Sequence, residues 1–100
     1  MDYKNERLGV RFVVPDNVTV RQQLAYYGAY GYEGVGRDRF VRMWSAALEL
    51  IEGWECESHP DPKAIDLDTD TSPTTAQIVL WAGSEVSVHM ANLEDVPKNS

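Results

Sequence analysis

Residues Phe40–Trp54, FVRMWSAALELIEGW, decide how this chain is read. Phe40, Trp44, Ala47, Leu48 and Ile51 recur at spacings of three and four, which puts them on one face of an α-helix. Arg39, Arg42, Glu49 and Glu52 supply the polar positions around that stripe. Asp38 is a suitable N-cap and forms an acid-then-base pair with Arg42 four residues on. Gly53 is placed to stop the helix. The stretch therefore predicts an amphipathic helix from Asp38 to Gly53.

Working outward, a second such helix is predicted downstream. Ser72-Pro73 combines a capping hydroxyl with proline at the first helical position. From Thr75 to Val96, Val79, Ala82, Val86, Met90 and Leu93 form a stripe, widened by Ile78 and Trp81, and Pro97 ends it. Gly83 is about 1 kcal/mol less favourable than alanine in a helix, and close approach of another helix would account for it. Upstream, Thr19-Val20-Arg21-Gln22 fits a capping box. It opens a short helix to about Tyr27, with Val20, Leu24 and Tyr27 on the shared face. Gly28, Gly31, Gly34 and Gly36 then predict a tyrosine-bearing loop.

Two segments remain. Leu8–Val14 alternates apolar and other residues with a period of two, and Pro15-Asp16-Asn17 ends it, so it reads as one strand. No second strand is evident, so it is expected to pair with another chain or lie as an extended arm. Glu55–Thr71, with Pro60, Pro62 and most of its charges acidic, reads as a loop. The expected fold is mainly α: a small three-helix domain with a short N-terminal β segment and a long acidic loop between helices 2 and 3. One domain spans 1–100. Residues 1–17 form the β arm, 18–54 the first two helices with the Gly/Tyr loop, 55–71 the acidic loop and 72–97 the C-terminal helix.

Composition narrows the function. The chain is 43% hydrophobic and 25% charged, which is ordinary for a soluble globular domain. No apolar run approaches the ~20 residues of a membrane span. Met1–Glu6 has neither a basic nor an apolar leader segment. A single cysteine, Cys56, excludes an intrachain disulfide. An intracellular, cytoplasmic protein is expected. The net charge of -7 is uneven: residues 1–50 sum to +1 and residues 51–100 to -8. Such an acidic half repels phosphate backbones, so nucleic-acid binding is not expected. It suits a basic partner, or mimicry of nucleic acid.

Motifs that would carry chemistry fail on inspection. Asp66, Asp68 and Asp70 start like a calcium loop, but Thr71 and Gln77 stand where that loop needs glycine and an acid. Cys56 and His59 are too few for zinc. Acidic neighbours raise a thiol's pKa, which argues against Cys56 as a nucleophile on His59. The glycine-rich loop lacks the Lys-Ser/Thr ending of a phosphate-binding loop. No catalytic residue, metal or cofactor is expected, and the chain reads as a non-enzymatic protein-binding protein. The candidate contact residues are Phe12 on the strand, Tyr26, Tyr30 and Tyr32 on the tyrosine segment, Trp54, and Asp66, Asp68 and Asp70. Tyrosine and tryptophan are favoured at interfaces for their large amphipathic area.

The pieces Phe12–Leu24 (FVVPDNVTVRQQL) and Trp44–Trp54 (WSAALELIEGW), with the C-terminal helix, resemble a small tailed-phage protein. The group most similar in layout is the tail assembly chaperones, which share a short N-terminal β segment, a helical body, an acidic balance and no catalytic motif. The resemblance implies binding to the aggregation-prone tape measure protein during tail assembly, in the host cytoplasm. Two other classes stay open. One is a structural virion component, a neck or tail-completion ring whose Leu8–Val14 strand pairs with a neighbouring subunit. The other is an acidic inhibitor of a host defence nuclease, acting through the acids of Glu55–Asp70.

Overall fold

The computed structural model describes residues 1–30 and 39–94. The elements run β1 (Asp2–Asn5), β2 (Val10–Val13), α1 (Val20–Tyr30), α2 (Arg39–Leu48), β3 (Glu52–Cys56) and α3 (Pro73–Glu94). The three strands form one antiparallel sheet in the order β1-β2-β3, with β2 central. This corrects the mainly α expectation: the fold combines three helices with a complete small sheet. The strand expected near Leu8–Val14 exists as β2, but it needs no other chain. Both of its edges are paired within the molecule, to β1 and to β3.

The Phe40–Trp54 stretch is where the expectation and the structure part. The helix ends at Leu48, and Glu49 and Leu50 bond back to Ala46 and Ala47 in a tighter turn. Leu50, not Ile51, is the fully buried residue there. Gly53 does not stop a helix. Its φ is +57°, and it sits where the β2–β3 register slips between Arg11 and Val13. Gly53 and Trp54 together face Phe12, the glycine form of a β-bulge. The bulge turns Trp54 inward, and its ring lies 6.1 Å from Phe12 and 6.1 Å from Trp44.

The first hairpin closes locally. Asn5 Oδ1 accepts the Leu8 N–H at 3.0 Å, and Gly9 takes the left-handed conformation, φ +68°, that a four-residue hairpin loop requires. Alternation along β2 then decides the layering: Val10, Phe12 and Val14 are buried, and Arg11 is exposed. On the outer face, Lys4, Arg11 and Glu55 lie in one row. Arg11 there forks onto Asp2, with its shortest bond at 2.8 Å. On the inner face, Tyr3, Phe12 and Trp54 stack side by side, and Trp81 of α3 meets Phe12 edge-on at 5.4 Å.

α3 closes the core. Ile78, Val79, Ala82, Val86 and Met90 are buried on it, as the stripe predicts. Gly83 is buried against Met43 of α2, whose methyl would lie 2.8 Å from an added Cβ, so the glycine does admit a neighbouring helix. His89 ties three segments together. Its Nε2–H donates to the Pro15 carbonyl, since a carbonyl only accepts, which leaves Nδ1 to accept the Tyr3 hydroxyl at 2.8 Å. α1 differs from expectation. The capping box forms reciprocally between Thr19 and Gln22, but the helix runs on through Gly28 to Tyr30. Val20 and Leu24 face solvent, and Tyr26 is the residue it buries. The predicted N-cap Asp38 and most of the Gly/Tyr loop lie outside the described residues.

Candidate functional site

Two features stand out between α2, α3 and the segment joining β3 to α3. The first is a hydrogen-bonded chain that fastens this segment to α3. Asp70 Oδ1 accepts the Ser72 N–H at 2.8 Å, and its Oδ2 accepts the Thr75 hydroxyl at 2.8 Å. Because Thr75 spends its proton on the carboxylate, its oxygen must accept from His59 Nε2, 2.8 Å away. The ring's Nδ1 lies 2.8 Å from the Ser58 hydroxyl, which extends the chain by one more bond. The Trp54 indole N–H bonds the His59 carbonyl at 2.7 Å, anchoring the same residue to the core. Direction is thus fixed from His59 through Thr75 to Asp70.

Local sequence explains why the segment holds its shape. Asp61 Oδ1 accepts the Lys63 N–H and caps a short 3-10 turn, Pro62–Ala64. Asp66 Oδ1 accepts the Asp68 N–H in the next turn. Asp66 is held below the usual range first by the Asp68 N–H and next by the Thr69 hydroxyl. Asp70 is held below it first by the Ser72 N–H and next by the Thr75 hydroxyl. Ile65 and Leu67 dip toward the core between the acids. A segment read as a simple acidic loop is a run of capped turns, and its first residues, Glu55 and Cys56, belong to β3.

The second feature is an apolar groove of about 330 Å3. Phe40 and Val41, from the first turn of α2, form one side; Leu67 and Asp70 form the other. Its floor is Ser72, just before α3, and Thr75, Ala76, Val79 and Leu80 of α3, positions that recur at three and four along one helix face. Phe40 is 54% exposed, Val41 47% and Leu80 43%. Single exposed apolar residues are normal, but three around one concavity form a patch. Asp70 joins the two features: it lines the groove and terminates the hydrogen-bonded chain.

The residues chosen from sequence distribute unevenly over these features. Phe12 is fully buried and Tyr26 nearly so, which corrects their assignment as contact residues: both are core, Phe12 because the alternation on β2 points it inward and Tyr26 because it turns toward α3, with its hydroxyl 3.5 Å from Ser87 Oγ. Tyr30 is partly buried, with its ring 5.9 Å from that of Tyr26. Trp54 is partly buried in the aromatic stack. Tyr32 lies outside the described residues. Asp66, Asp68 and Asp70 are exposed, and of the three Asp70 lines the groove.

Sequence reasoning missed the roles of His59 and Thr75, and it assigned Phe40 to the packed stripe. The available signal was apolar residues that fit no buried stripe: Val41 on α2 and Leu80 on α3. Cys56 is buried on the inner face of β3, with its sulfur 3.4 Å from Ser58 Oγ. Among the described residues no cluster of three or more His, Cys, Asp and Glu is gathered to hold a metal ion. Among the same residues no helix is long and apolar enough to cross a membrane. Comparison with protein-family models, curated proteins and solved structures finds no match to this chain.

Proposed function

We propose that this chain is a non-enzymatic protein-binding protein that acts as a tail assembly chaperone, holding a tape measure protein in the host cytoplasm while a phage tail is built. The observation that supports this reading is the apolar groove lined by Phe40, Val41, Leu67, Val79 and Leu80. Its floor carries the spacing of a helix-packing surface, and the occupant is a helix of a long helical client. A client helix in that groove hides apolar surface that would otherwise aggregate. The net charge of -7 keeps the complex soluble.

The test is co-expression with the tape measure protein of the same genome. The client should stay soluble and co-purify with the chain, and it should precipitate when the chain is omitted. A client equally soluble without the chain refutes the reading.

A further inference from the structure

We draw no further inference here: the strongest candidate, the apolar groove walled by Phe40 and Val41 of α2 over Val79 and Leu80 of α3, carries nothing because nothing in the structure shows what covers it, the one acid lining it among the described residues, Asp70, having both carboxylate oxygens bonded to Ser72 and Thr75.

Discussion

Replacing Thr75 by valine tests the hydrogen-bonded chain at its centre. The residue is 4% exposed, so valine keeps nearly the same shape in the same pocket. What it deletes is the oxygen that accepts from His59 Nε2 and donates to Asp70 Oδ2, both at 2.8 Å. A neutral hydrogen bond contributes roughly 1 kcal/mol net and one to a charged group roughly 1.5–3 kcal/mol. Asp70 is exposed and His59 only partly buried, so water can reach both orphaned groups, and the lower end of the sum applies. Thr75→Val should therefore destabilise by about 2 kcal/mol. For a domain of this size that lowers Tm by about 10 °C. Thr75→Ser keeps the oxygen and loses one methyl, about 0.8 kcal/mol. Thermal melts followed by circular dichroism should rank wild type above Thr75→Ser and Thr75→Ser above Thr75→Val. Hydrogen exchange should quicken along residues 59–70 in Thr75→Val. A valine variant as stable as the serine one refutes the directed chain through Thr75.

Asp70→Asn addresses the same contact through pH. The Asp70 carboxyl is held below its ordinary 3.8, first by the Ser72 N–H, so the stability it contributes is complete above about pH 4 and is lost as pH falls through the folded-state value. The Tm gap between wild type and Asp70→Asn should be full at pH 7 and close on acidification below pH 4; a gap that widens instead contradicts the assignment. Gly53→Ala places a side chain at φ +57°, where its Cβ meets only Val13 Cγ2 at 3.7 Å. With no clash, only the backbone term of about 1–2 kcal/mol remains, and urea denaturation measures it. An alanine variant as stable as wild type would show that the bulge does not need glycine. Phe12→Ala removes the ring at the centre of the aromatic stack and should lower stability by about 3–5 kcal/mol. A loss under 1 kcal/mol in the same urea titration would return Phe12 to the surface.

Much of the helical framework was legible because it depends on near neighbours. The Thr19–Gln22 capping box, the Ser72-Pro73 start and the buried stripe from Val79 to Met90 all appear where local pattern places them. β3 was not legible. Trp54 and Cys56 point inward with Glu55 outward, a period of two, but the pattern is only a few residues long. It also follows directly on a strong helical stripe that extends to Ile51. β1 was hidden for a related reason: Asp2, Tyr3, Lys4 and Asn5 are polar enough to read as a tail, and they become a strand because β2 offers them an edge. On α1, propensity places the helix but not its rotation. Val20 and Leu24 lost the inward side because the Tyr26 ring fills the space against α3.

The candidate site divides in the same way. That Asp66, Asp68 and Asp70 are charged and near a helix start follows from the sequence. That Asp70 reaches Thr75, and Thr75 reaches His59 sixteen residues away, does not. Phe40, Val41 and Leu80 are each unremarkable on their own helices, and only the packing of α2 on α3 brings them round one groove. Capping, stripe spacing and charge balance are settled by residues within a turn or two of one another, so the sequence by itself determined them. Strand pairing, the rotation of a helix and the meeting of distant side chains are settled by which surfaces compete for the same buried space, and only the tertiary structure decided those.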